Sequence, residues 1–133
     1  MVMVKEVTTM PVPAFLVEDN AVIRKNLIPT LAELGGISVV AFAEGQAEAV
    51  DWLQRHDGQW QFAIVDLFLK DGSGLGVIAA CKERNPGSQV VVLPNYATPD
   101  MRRRCLELGA DAFFDKSSQL DEFFAYCETH SLK

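Results

Sequence analysis

The 133-residue chain has no stretch of about 18 consecutive apolar residues, so it offers no membrane-spanning helix. Met1 to Pro13 holds Lys5, Glu6 and two threonines without a long apolar core, and is not expected to serve as a secretory leader or an anchor. Cysteine is scarce. Cys81, Cys105 and Cys127 are odd in number and form no C-x-x-C pair, which argues against a disulfide framework or a zinc knuckle and for a reducing compartment. Positive charge is in deficit, with 12 Lys and Arg against 18 Asp and Glu for a net charge of -6. Such a surface repels phosphate backbones and anionic lipid, so neither nucleic acid nor a membrane is expected as a direct partner. No Ser-His-Asp pattern, phosphate-binding Walker loop or dinucleotide fingerprint occurs. His56 and His130 lack partners at metal-ligand spacing and are expected at the surface. Linkers, repeats and low-complexity tracts are also missing. With 49% hydrophobic and 23% charged residues the chain has the make-up of a folded domain, which excludes disorder. At roughly 100 to 200 residues per domain, one soluble intracellular domain is expected, with residues 1–12 as an N-terminal extension and 13–133 as the domain.

Five apolar runs rich in β-branched or aromatic residues read as strands: Ala14 to Val17, Ile37 to Ala43, Phe62 to Leu69, Val90 to Leu93 and Ala112 to Phe114. Their starts lie 23, 25, 28 and 22 residues apart, enough each time for a helix and two turns. Continuous rather than alternating apolar runs indicate strands covered on both faces. The fold class is therefore α/β, a doubly wound five-stranded parallel sheet between two helical layers. Asn20 caps a first helix with Ile23, Leu27, Leu31 and Leu34 on one stripe and Gly35-Gly36 at its end. Pro29 interrupts that stripe, and a kink near Lys25 or a break is expected. Thr98, Pro99 and Asp100 open the fourth helix and Gly109 closes it; Leu120, Phe123, Phe124 and Cys127 share a face of the last.

Ligands of such sheets bind at the carboxyl ends of the strands where the winding reverses. Strand one leads straight into Glu18 and Asp19, and strand three into Asp66, so three carboxylates meet there. A plain turn with Asp19 or Asn20 as helix cap is the competing reading for the first pair. Asp66 is different, because a carboxylate inside an otherwise apolar run costs several kcal/mol to desolvate unless it is paired or bound to a cation. Repelling carboxylates are relieved by a raised pKa, a divalent cation or a lysine. Oxygen ligands of this kind suit Mg²⁺, and Lys116, at the end of strand five, can reach the same rim.

Glu18-Asp19, Asp66, Asp71-Gly72-x-Gly74-Leu75 and Gly109-Ala110-Asp111 leading to Lys116 together resemble the receiver domain of bacterial response regulators, over Phe15 to Phe124. The resemblance implies the flavodoxin-like (CheY-like) strand order 2-1-3-4-5. It also implies that Asp66 is the phosphoacceptor, taking its phosphoryl group from a histidine kinase, a phosphotransfer protein or a small donor such as acetyl phosphate. Glu18 and Asp19 would hold Mg²⁺ with Asp66 and the backbone carbonyl of Phe68, and Lys116 would pair with the phosphoryl oxygens.

The sequence departs from the family where a phosphorylation signal would be relayed. Pro94 stands where the family places Thr or Ser, so no hydroxyl turns inward there, although the Asn95 N–H can still contact the phosphoryl group. Phe113 matches the coupled aromatic but lacks a phenolic oxygen, and Ser117 follows Lys116 in place of the common proline. Phe68 and Tyr96 flank the pocket and can restrict water; core packing for Phe68 and an exposed loop position for Tyr96 are the competing readings. Arg102, Arg103 and Arg104 spread around the fourth helix as a solvated face. With nothing after Lys133, the chain is read as a stand-alone receiver of the bacterial cytoplasm, not an enzyme beyond its own phosphorylation and dephosphorylation. A downstream protein would bind the face of helix four, strand five and helix five, with Tyr126 included if exposed. Two alternatives remain: a phosphorylation-independent pseudo-receiver, and a Mg²⁺-dependent phosphatase, the latter weakened because Phe68 stands where a second acid is needed.

Overall fold

The computed structural model describes residues 11–131. Residues 1–10 of the expected N-terminal extension lie outside them. Five strands, β1 (Val12–Val17), β2 (Ile37–Ala43), β3 (Phe62–Val65), β4 (Gln89–Val92) and β5 (Ala112–Phe113), alternate with α1 (Ala21–Thr30), α2 (Gln46–Arg55), α3 (Gly74–Ala80), α4 (Pro99–Glu107) and α5 (Leu120–Ser131). All strand pairs are parallel and the order is β2-β1-β3-β4-β5, the expected one. No described helix is long and apolar enough to cross a membrane.

Side chains that alternate along each strand feed two cores. Phe15, Val17, Ala63, Val65, Val90 and Val92 pack under α2, α3 and α4 against Leu53, Val77, Ile78 and Cys105. Leu16, Phe62, Ile64, Val91 and Leu93 face α1 and α5 and meet Leu27, Phe123 and Cys127. The three cysteines are buried and unpaired. Burial pushes the thiols of Cys81 and Cys105 up to about 11 and that of Cys127 to about 12, which keeps them protonated and inert.

Three expectations need correction. The run Phe62–Leu69 is not one strand: β3 ends at Val65, and the chain turns back so that the Gly74 N–H reaches the Leu67 carbonyl at 3.0 Å. A Cβ on Gly74 would sit 2.3 Å from the Asp66 carbonyl oxygen, so only glycine permits that turn. Nor does α1 break at Pro29. It continues to Thr30 and then widens into a π turn, Leu31–Gly35, closed by a bond from the Gly36 N–H to the Leu31 carbonyl. The wider turn rotates Leu34 off the stripe, leaving it 54% exposed while Leu27 and Leu31 are buried. Finally, β2 is an edge strand rather than one covered on both faces. Its register slips opposite Ala14/Phe15, and Val40 and Phe42 are exposed. A bulge of this kind twists an edge and discourages pairing with another chain.

The sheet's amino-terminal edge is stapled by Arg84. Its guanidinium donates to the carbonyls of Ser88 (3.1 Å), Cys81 (3.0 Å) and Gly109 (2.9 Å) and to Asp111 Oδ2 at 2.7 Å. Asp111 Oδ2 also accepts the Val90 N–H at 2.7 Å. The Gly109-Ala110-Asp111 segment therefore ties α3, β4 and the α4–β5 loop together at the edge opposite the acidic cluster. Arg84→Ala should lower unfolding free energy in urea by about 1 to 2 kcal/mol, since it removes a half-buried guanidinium and leaves the carbonyls of Ser88, Cys81 and Gly109 without that donor. Because the staple is remote from Glu18 and Asp66, the amide NMR signals of the 18–20 and 66–68 segments should not shift.

Candidate functional site

The winding reverses between β1 and β3, and the hydrogen-bond ladder runs past both strand ends. The Asp66 N–H donates to the Val17 carbonyl at 2.9 Å and the Glu18 N–H to the Ala43 carbonyl at 3.0 Å. Glu18 and Asp66 thus stand side by side, 2% and 3% exposed. One carboxylate oxygen from each of Glu18, Asp19 and Asp66 lies within 4.8 Å of the others. Asn20, not Asp19, caps α1: its Oδ1 accepts the N–H groups of Val22 (2.9 Å) and Ile23 (3.0 Å). Asp19 is released for the cluster.

The three acids are not equivalent. Both Glu18 oxygens are engaged, Oε1 by the Lys116 ammonium at 2.6 Å and Oε2 by the Asn20 N–H at 3.2 Å. Asp66 Oδ1 is buried without a hydrogen-bond donor. Burial first, and the neighbouring Glu18 carboxylate second, push the Asp66 carboxyl from its ordinary 3.8 up to about 6, while Lys116 and the amides of Phe68 and Leu67 pull it back. A buried, donorless carboxylate oxygen beside a second acid is the kind of group a hard cation satisfies, so the donor set fits Mg²⁺. Lys116 reaches the cluster as expected, but its partner here is Glu18.

Residues without local sequence signals hold this rim in shape. Arg24 donates to the Glu18 carbonyl at 2.7 Å, pairs with Glu44 at 3.0 Å and lies over the Phe42 ring at 4.3 Å. Lys70 pairs with the other Glu44 oxygen at 3.1 Å, and the two cations hold the Glu44 carboxyl below its usual range. Gln46 at the start of α2 accepts the Ser73 N–H at 2.9 Å and fills the space beside Gly72, whose φ of 75° a side chain would strain. Apart from the Arg24–Glu18 contact, these partners lie 18 or more positions apart, beyond what periodicity or motif spacing reveals.

Around the cluster, Pro94 is buried and its carbonyl accepts the Lys116 N–H at 2.8 Å. Phe113 lies in the core under α4, and its carbonyl accepts Arg102 Nη1 at 3.0 Å. Phe68 does not pack in the core: it is 46% exposed and stacks on Tyr96, itself 58% exposed, with centroids 5.3 Å apart and planes at 16°. The turn after Val65 causes this, because it carries Phe68 out of the sheet. Tyr126 is half-buried and bonded to Gln89 Oε1, with its hydroxyl pushed up to about 12 chiefly by burial. The histidines are half-buried rather than free surface groups, His56 stacked on Trp52 and His130 on Tyr126.

The chain belongs to the response regulator receiver domain family, which it matches over residues 14–128. It is 32% identical over 118 residues to a cyclic di-GMP phosphodiesterase of Thermotoga maritima, covering 89% of this chain and 30% of that protein. It is 27% identical over 117 residues to the photosynthetic apparatus regulatory protein RegA of Cereibacter sphaeroides, covering 88% and 59%. The chain thus spans only part of the length of both relatives. A solved response regulator of Burkholderia pseudomallei, with a phosphorylated aspartic acid, a calcium ion and citrate, is similar at a TM-score of 0.72 and 26% identity, over 90% of this chain and 68% of that one. Receiver domains are signalling modules that interact with histidine kinases and downstream effectors, and they generally bind Mg²⁺ at an acidic pocket.

The elevated Asp66 value fixes a pH dependence of stability. The folded carboxyl titrates near 6 and the unfolded one near 3.8, so the native state holds the proton more tightly. The resulting penalty is fully present above pH about 6 and fades as pH falls towards about 4. In metal-free buffer Asp66→Asn should therefore raise unfolding free energy at neutral pH by about 2 kcal/mol, and by less at each step down that window. Urea melts of the two proteins across the range check this.

Proposed function

We propose that this domain is a phosphorylation-responsive receiver in which Asp66 accepts a phosphoryl group and the altered surface then acts on a protein partner. The observation that carries the reading is the buried, donorless oxygen of Asp66 beside Glu18, Asp19 and Lys116. Asp19, Asp66, Glu18 and the Phe68 carbonyl are the groups to hold Mg²⁺, which when bound supplies charge neutralisation at the carboxylates and the incoming phosphoryl oxygens. An Asp66 oxygen attacks phosphorus in line. The bond from phosphorus to the donor's leaving atom breaks, and acetate or a histidine imidazole departs with the electron pair. Lys116 is placed to exchange Glu18 for a phosphoryl oxygen.

Pro94 supplies no donor to the phosphoryl group, which leaves the Asn95 amide and Lys116 to meet it. The Asn95 N–H is unpaired among the described residues, which supports that role. The donor is expected to be a histidine kinase or phosphotransfer protein of the bacterial cytoplasm. The partner face is α4, β5 and α5, with nucleic acid not contacted directly. A second reading rests on Pro94: the same fold used as a constitutive platform, with the hydroxyl relay gone.

Incubation with Mg²⁺ and acetyl phosphate should add one phosphoryl group, seen by intact mass as an acid-stable, base-labile adduct that Asp66→Asn removes. Absence of both adduct and Mg²⁺ binding would favour the platform, and repeated turnover of a phosphate ester would favour a phosphatase. The stacked Phe68 and Tyr96 follow Asp66 and Pro94 by two residues each, close enough in the chain to restrict water at the acyl phosphate. Phe68→Ala should therefore shorten the half-life of the adduct severalfold without preventing its formation, as measured by the decay of the phosphorylated mass.

A further inference from the structure

We propose that the cavity between the β3–α3 loop and α4 binds a small amphipathic organic acid, with a ring-sized apolar body and a single carboxylate. The cavity holds about 390 Å³, within the range of small-molecule sites. Leu67, Leu69, Leu75 and Met101 line it, and the Phe68–Tyr96 stack forms one wall. Two adjoining aromatic rings, each about half exposed, mark a surface with an occupant to gain.

The charge at the lip selects the acid. Of the three consecutive arginines of α4, Arg102 is bonded to the Phe113 carbonyl, and Arg103 is paired with Asp100 and Glu107. The Arg104 side chain alone has neither an ion pair nor a hydrogen bond among the described residues, and it lines the cavity. A free planar guanidinium above an apolar hollow matches a carboxylate on a hydrocarbon body. A polyanion is disfavoured, because Arg104 is the one cation among the described residues that line the cavity, in a chain of net charge -6. The hollow is concave and closed on one side by the stack, so it accepts a ring rather than an extended segment.

Asp66 does not line this cavity, but Phe68, two residues on, does. An occupant that holds the stack in place therefore lengthens the life of the phosphorylated state. This coupling rests on the phosphoacceptor role proposed above; the binding site itself does not.

The probes are hydrocinnamate and its neutral counterpart, hydrocinnamyl alcohol, titrated into the full unphosphorylated chain and followed by amide NMR. Hydrocinnamate should shift residues of the 67–75 loop together with Tyr96, Met101 and Arg104, and should bind about five-fold more tightly than the alcohol. Arg104→Gln, a surface substitution, should weaken acid binding by about the same factor and leave the alcohol unaffected. Equal binding of acid and alcohol, unchanged acid binding in Arg104→Gln, or shifts scattered over the surface would overturn the site. With binding established, saturating hydrocinnamate should slow decay of the acetyl-phosphate adduct, and an unchanged rate would overturn the coupling alone. Failure to form the adduct at all would instead count against the phosphoacceptor reading, and the titration would stand.

Discussion

Two buried carboxylates held side by side at the tips of adjacent strands are the costliest feature of this domain, and the rest of its site is arranged around them. Neither Glu18 nor Asp66 can turn to water, because the ladder beyond Val17 and Val65 fixes their backbones and the neighbouring loops cover them. The chain relieves the two unequally, giving both Glu18 oxygens a partner, the lysine and a backbone amide, while Lys116 and the Phe68 and Leu67 amides offset only part of the cost at Asp66. Asp66 is left with its proton affinity raised and one oxygen unserved. On the reading proposed above, a site that keeps one acid satisfied and the next dissatisfied would be prepared for a cation and an electrophile at a single defined atom.

That unequal treatment requires rigidity, which comes from loops rather than from the sheet. Arg24, Glu44 and Lys70 connect the turns after β1, β2 and β3 in a chain of charges, and Gln46 locks the loop after β3 to the start of α2. The glycine at 74 lets that loop pass within contact of Asp66 itself. On the opposite edge Arg84 performs an equivalent service for the amino ends of β4 and the α4–β5 loop. The two edges are secured by separate sets of side chains, so the carboxyl edge can rearrange without loosening the base of the sheet.

Much of this was legible in the amino-acid sequence, for physical reasons. Parallel strands buried on both faces announce themselves as continuous apolar runs, and the acids at their ends stand out because acids are expensive there. Helix caps such as Asn20 and Thr98 are local and were equally plain. Less legible was anything decided by contacts across the fold. Leu67 to Leu69 has a strand's composition, but the backbone leaves the sheet at Asp66, and no local signal tells a strand from an apolar turn that exposes Phe68. The π turn after Pro29 moved Leu34 by rotation alone. The preference of Lys116 for Glu18, and the roles of Arg24 and Gln46, arise from partners distant in sequence.

Lys116 has a geometry whose mechanical meaning reaches beyond the rim. Its main-chain amide is tethered to the end of β4 through the Pro94 carbonyl, while its ammonium stretches across to the end of β1. The residue is a strut with a fixed foot and a movable head. A new anion that drew the head away from Glu18 would load the foot, and that load would pass into the junction of β4 with the loop leading to α4. On the phosphoacceptor reading proposed above, in a chain without a hydroxyl at position 94, traction along this one side chain would give the pocket a path to the distant surface that needs no swinging side-chain donor.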